Sequence, residues 1–152
     1  MAKSQLYFAY GSMLEPDRLT ALAPNARFQK VAHLPETRLY FAEANGRWSG
    51  ALPTIRAEEG NTVWGALFEV DEAELEAITG AEADDGRVPT QEFSVVDREG
   101  TRHWVTTHVV EGPEGGDPAR DYIEHVVAGA RHWQLPTGWV IHLEEIGEDD
   151  LL

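Results

Sequence analysis

The chain has 152 residues, 12 basic and 27 acidic, giving a formal charge of −15. That length suits one domain with a real core, and so acidic a surface repels nucleic acid and anionic membranes, excluding both as expected partners. The absence of cysteine excludes a thiol nucleophile, a disulfide framework and a cysteine-based zinc site.

In chain order, residues 5–10 read as a strand that ends in the buried-looking run Tyr7, Phe8, Ala9 and Tyr10. Gly11 and Ser12 then force a turn towards a short helix over Pro16–Leu22. A strand running through a glycine turn to a helix start leaves backbone N–H groups pointing outward, a small cradle for an anion. Gly11 is expected to need a backbone conformation closed to a β-branched residue. Two strands follow, at 27–35 and 37–44, then a loop at 45–50 and a short strand at 51–55. The apolar run 61–70 has the length and composition of a central strand.

Asp71 and Glu74 have capping-box spacing, with Leu75 and Ile78 as the apolar stripe of the helix they open. This helix is expected to run out in the acidic turn Gly80–Gly86. Residues 88–97 and 101–110 flank the turn 98–100 as one hairpin. After the loop 111–117, Asp117 as N-cap and Pro118 as first residue start a helix with the stripe Tyr122, Val126, Ala130 and Trp133. Residues 134–139 break it, and the acidic tail 144–152 is expected to fray. About six strands with helices at only a few junctions predict a single α+β domain over 1–152, built as a mixed barrel or strongly curved sheet. Nothing near the N-terminus resembles a signal peptide and no segment has membrane-spanning length, so a cytoplasmic protein is expected.

Metal chemistry finds little support. His125 and His132 lie seven apart on one helix, about 10 Å, and His103 and His108, five apart in a strand, face opposite ways. The turn Glu82–Gly86 lacks the ligand alternation of a calcium loop, so Asp84 and Asp85 read as solvated. The glycines of 112–116 fit no phosphate loop. Ser12 has neither a nucleophile-elbow pattern nor a nearby base. Glu82 stands apart: it follows the small and apolar run 77–81, surroundings that raise a carboxyl pKa and suit a general acid/base near neutrality.

Taken together, "YFAYGSML", "APNARF…VAHLPETRLYF", "WSGALPTI", "NTVWGALFEVD", the helix ending at Glu82 and "DPARDYIEHVVAGARHWQLPTGW" resemble the γ-glutamylcyclotransferase family, in one collinear order. The resemblance implies a small, mostly antiparallel β-barrel flanked by helices. It also implies cleavage of γ-glutamyl amides by cyclisation, releasing 5-oxoproline and a free amine, with no cofactor and no metal. Carried over, Tyr10, Gly11, Ser12, Met13 and Leu14 form the substrate-binding loop and Glu82 is the catalytic acid/base. Four positions depart from the family pattern. Met13 replaces an asparagine, Ala83 a glycine, an aromatic is missing near Arg87–Val88, and Trp139 replaces a tyrosine. The loop also lacks the tryptophan associated with the glutathione-specific branch. The alternative reading is a non-catalytic module that binds a small carboxylate on the same fold; Met13 and Ala83 favour it and Glu82 opposes it. The expected partner is a small molecule, and neither its leaving amine nor the oligomeric state is legible.

Overall fold

The architecture is organised around two long strands whose length the sequence conceals. The computed structural model describes residues 4–44 and 46–148. β1 (Ser4–Ala9) pairs antiparallel with β3 (Ala51–Asp71), which pairs antiparallel with β2 (Arg27–Glu43). The segments 27–35 and 37–44 are thus one strand, and 51–55 and 61–70 another. At the join the register steps from Pro35 opposite Thr62 to Thr37 opposite Ala57. Proline cannot donate to the ladder; Glu36 turns at φ 51° and its carboxylate accepts the Gly60 N–H at 2.8 Å. That bond holds the irregularity inside the ladder, so the break in pattern does not end either strand.

The expected hairpin is also rearranged. Residues 88–97 divide into β4 (Val88–Thr90) and β5 (Ser94–Asp97), and residues 101–110 into β6 (Arg102–Trp104) and β7 (Thr107–Val109). Only β5 and β6 form a hairpin; β4 pairs with β7 as a separate ribbon. The main sheet has the order β1-β3-β2-β5-β6. Immediately after β6, Thr106 makes a parallel bridge to Tyr7 of β1, donating to the Leu6 carbonyl and accepting from the Phe8 N–H, both at 3.0 Å. The chain leaving one edge of the sheet therefore joins the other edge, and the curved sheet closes as the expected small, mostly antiparallel barrel.

Closure buries β1 on both faces. Phe8 and Tyr10 point into the barrel with Ala32, Leu34, Val63, Leu67, Val95 and Val105. Tyr7 and Ala9 point the other way, into the core shared with the helices. Two-sided burial accounts for the unbroken apolar run in this strand.

α1 (Pro16–Leu22) forms as expected, preceded by a 3-10 turn, Ser12–Leu14. α2 (Glu72–Asp84) opens with the predicted capping box: Glu74 N–H donates to Asp71 Oδ1 at 2.8 Å, and Asp71 N–H to Glu74 Oε1 at 3.2 Å. It runs further than expected, so Glu82 sits in its last turn instead of beyond it. α3 (Arg120–His132) starts later than Asp117, with Ala119 as N-cap. Residues 117–119 are held extended instead, the Asp117 carbonyl accepting the Ala51 N–H at 2.7 Å and Ala119 N–H returning to the Ala51 carbonyl at 2.9 Å. The tail expected to fray is, up to Glu148, a further helix, α4 (Thr137–Glu148), anchored by buried Leu143; residues 149–152 lie outside the described residues. No helix among the described residues is long and apolar enough to cross a membrane.

α3 rests directly on the 3-10 turn. A β-carbon on Gly129 would fall 2.2 Å from the Leu14 carbonyl carbon and 2.5 Å from its oxygen, backbone atoms that cannot swing away. Gly129→Ala is therefore expected to lower stability by about 1–3 kcal/mol, read as a lower urea midpoint at unchanged m-value. An unshifted midpoint would mean that the helix can lift from the turn without penalty.

Candidate active site

β1 ends at the barrel rim, where Tyr10, Gly11 and Met13 meet the last turn of α2. There the Glu82 carboxyl is 2% exposed, and around it close Tyr7, Phe8, Arg87, Thr107 and His108, so tightly that the cavity admits no water molecule. Burial pushes the Glu82 pKa above its ordinary value and Asp85 adds to the rise, while Arg87 and then Arg18 and Arg47 oppose it. Its Oε1 has no hydrogen-bond partner. The burial is as expected, because the same helix face that supplies Ile78 to the core carries Glu82 one turn on, but the surroundings are polar and charged instead of small and apolar.

Arg87 is the residue that sequence reasoning passed over. Its guanidinium is as buried as Glu82 and lies with Nε 3.0 Å from Glu82 Oε2, although the Nε–H is not aligned on that oxygen. One terminal nitrogen donates to the His108 carbonyl at 2.8 Å and the other to the Tyr122 hydroxyl. The cation also sits over the Tyr10 ring at 5.1 Å and near the Tyr122 ring at 5.9 Å. The Tyr10 hydroxyl donates to the same His108 carbonyl at 2.5 Å. Arginine occupies the neighbourhood where the resemblance led to the expectation of an aromatic, and that departure was the available signal.

The predicted loop residues divide. Tyr10, Gly11 and Met13 line the cavity. The Ser12 N–H donates to the Tyr122 hydroxyl at 3.1 Å, and the Ser12 Oγ is buried without a partner. Leu14 is not at the cavity: it lies under α3, its carbonyl accepting the Trp133 indole N–H at 2.7 Å. The Leu14 and Glu15 N–H groups turn back to the Gly11 and Ser12 carbonyls at 3.1 Å, which leaves those of Tyr10, Gly11 and Met13 outside these bonds. Gly11 has φ −110° and ψ −147°, which is not the left-handed conformation that only glycine takes readily. Space is what limits it, since a β-carbon there would come within 2.6 Å of both Arg87 Nη1 and the Tyr122 hydroxyl.

Other expectations change as well. Asp84 is exposed as predicted, but Asp85 is fully buried and its Oδ1 accepts from Arg47 Nε at 2.7 Å. The loop 46–50, read only as turn formers, thereby latches beside Glu82. Its Trp48 ring stands edge-on to Tyr122 at 5.2 Å, with the Arg18 and Arg47 guanidinium groups each 5.5 Å away. His103 and His108 belong to separate strands. His103 pairs with Asp97, whereas burial and the nearby Arg87 pull the His108 pKa down to about 3, leaving a neutral ring at ordinary pH. Trp139 is not at this cavity; it lines a separate groove with Tyr40, Phe41 and His142. Among the described residues no cluster of three or more His, Asp or Glu could hold a metal ion.

The chain as a whole is similar to known proteins. Residues 62–143 match the AIG2-like family. Human γ-glutamylcyclotransferase is 29% identical over 153 residues, covering 97% of this chain and 81% of the human protein. The mouse γ-glutamylcyclotransferase is 30% identical over 146 residues, covering 93% of this chain and 78% of its own length. A solved γ-glutamyl cyclotransferase structure superposes with a TM-score of 0.84 at 28% identity, over 93% of this chain and 87% of the other.

Tyr122 links α3 to both the turn and Arg87 through one hydroxyl. Tyr122→Phe strands the Ser12 N–H and one arm of Arg87, both buried, so stability should drop by about 1–3 kcal/mol. Thermal and urea unfolding measure this; a loss no larger than that of a surface substitution would mean that water or another group satisfies both donors.

Proposed function

Because this chain belongs to the AIG2-like family, with γ-glutamylcyclotransferases as its relatives, we propose that it cyclises the γ-glutamyl group of a γ-glutamyl amide in the Glu82 cavity. It is a cyclotransferase-type, 5-oxoproline-forming enzyme. The finer reading is attack by the substrate's own α-amine on its γ-carbonyl, with release of a free amine. The observation that carries this reading is the Glu82 carboxyl, wholly buried against Tyr10 and Gly11, with one oxygen unpartnered.

The bookkeeping of the reaction matches one such carboxylate. The α-ammonium first gives a proton to Glu82 and becomes a nucleophile. Its nitrogen then bonds to the γ-carbon, the bond from that carbon to the leaving nitrogen breaks, and the ring nitrogen gives up a second proton. Two protons in all pass from the α-nitrogen to the leaving nitrogen, which departs as an ammonium; Glu82 carries them and ends unchanged. A carboxyl whose pKa is raised towards neutrality can both accept and return a proton. The substrate supplies both nucleophile and electrophile, so the protein's main contribution is to hold the chain folded, where ring closure gains effective concentration. The Tyr10, Gly11 and Met13 N–H groups are the loop's candidates for gripping the glutamyl group or the developing oxyanion.

Glu82→Gln is expected to lower kcat by at least 10³-fold while binding of a γ-glutamyl ligand is retained, because the amide is nearly isosteric but cannot carry a proton. Mass-spectrometric detection of 5-oxoproline with calorimetric binding separates the two effects; turnover within tenfold of wild type would favour the non-catalytic binding module. In the wild type kcat/KM requires ionised Glu82. Since burial raises its pKa, activity should fall on acidification at a pH above the ordinary carboxylate range.

The α-amine must also be free. An N-acetyl γ-glutamyl amide keeps the scissile bond but loses the nucleophile and should give no product. Comparable turnover of the acetylated and free substrates, or free glutamate as the sole product, would point to attack by water.

A further inference from the structure

From the geometry of Arg87, and resting on the cyclotransferase reading above, we infer that Arg87 is the receptor for the substrate's α-carboxylate and Glu82 for its α-ammonium, the buried ion pair opening around the glutamyl zwitterion. Arg87 and Glu82 are each 2% exposed, and their closest atoms are 3.0 Å apart. A buried pair kept for stability alone is ordinarily saturated with hydrogen bonds, since desolvation otherwise outweighs its attraction. This pair is not: the Nε–H is misaligned and Glu82 Oε1 has no partner. A guanidinium has five N–H hydrogens, and only two are used, on the His108 carbonyl and the Tyr122 hydroxyl. Those two bonds fix the plane of the group from β7 and α3, leaving one hydrogen on each terminal nitrogen and the Nε–H for a ligand.

Position agrees with this role. Arg87 Nη1 lies 2.6 Å from where a Gly11 β-carbon would be, so the cation borders the turn read as an anion cradle, with the unpartnered Ser12 Oγ nearby in that turn. The cavity as it stands admits no water, so a zwitterion enters by parting the pair, each charge then meeting its opposite on the substrate. Charge balance supplies the second argument. When Glu82 takes the proton of the α-ammonium it becomes neutral, and Arg87 is left as a buried cation without its counter-anion. An α-carboxylate on Arg87 keeps the water-free site neutral through the whole cycle; a substrate lacking it does not.

The test pairs substrate with enzyme. A 4-aminobutanoyl amide has the same amine, carbonyl and ring-closing geometry as a γ-glutamyl amide but no α-carboxylate, and its lactam product is detected by mass. With wild-type enzyme its kcat/KM should be at least 100-fold below that of the γ-glutamyl amide bearing the same leaving amine. In Arg87→Gln that ratio should shrink to less than threefold, the γ-glutamyl substrate losing at least 30-fold more than the 4-aminobutanoyl amide, and Arg87→Lys should retain part of the ratio. If Arg87→Gln does not fold, Arg87→Lys decides: tenfold or greater loss confined to the carboxylate-bearing substrate supports the assignment, and equal loss on both overturns it. Wild-type rates within threefold on the two substrates would overturn it without any variant. So would faster turnover of the γ-glutamyl amide by Arg87→Gln, which would make the side chain a plug. An enzyme forming no 5-oxoproline from any γ-glutamyl amide fails the proposed reaction itself, a result distinct from turnover without discrimination.

Discussion

One buried guanidinium holds the site together. Arg87 reaches Glu82 on α2, the His108 carbonyl on β7 and the Tyr122 hydroxyl on α3, and through Tyr122 it touches the Ser12 N–H after β1. Four segments far apart in sequence are thus pinned to a single planar cation. Planarity matters here, because a fork of fixed N–H directions orients its partners as a lysine ammonium does not. The Tyr10 and Tyr122 rings beside it supply favourable faces for a charge that has no water around it.

The barrel exists, from the site's point of view, to make that arrangement rigid. Thr106 closes the sheet against β1, and two residues later His108 presents its carbonyl to both Arg87 and Tyr10. β1, buried on both faces, then delivers Tyr10 and Gly11 to the rim without freedom to shift. Gly129 lets α3 come close enough to set Tyr122 on the turn. A chain with a charge of −15 thereby gathers three arginines, Arg18, Arg47 and Arg87, near one carboxylate, and all three bias Glu82 towards its ionised form while burial biases it the other way. The balance of burial against those charges suits a group that must take a proton and give it back.

Local chemistry was legible in the sequence. The capping box of Asp71 and Glu74, α1 with its proline start, the central apolar run 61–70, the α+β class and the burial of Glu82 are legible from nearby residues, and the structure has each of them; the charged and polar surroundings of Glu82 are not. What it did not carry depends on partners at long range. Pattern breaks at Pro35–Glu36 and 56–60 look like strand ends, yet the Glu36 bond to the Gly60 N–H carries both strands through. Residues 117–119 have a helix-start composition but are claimed by Ala51, and the acidic tail becomes helical because Leu143 finds a core to enter. The site divides by the same rule. Glu82 and the Tyr10–Met13 turn could be found from composition and family resemblance, whereas Asp85 reads as solvated and Arg87 stands out only as the place of a missing aromatic. Only the folded chain, by removing water from a cation whose partners come from α2, α3 and β7, turned Arg87 into the residue on which the geometry of the site rests.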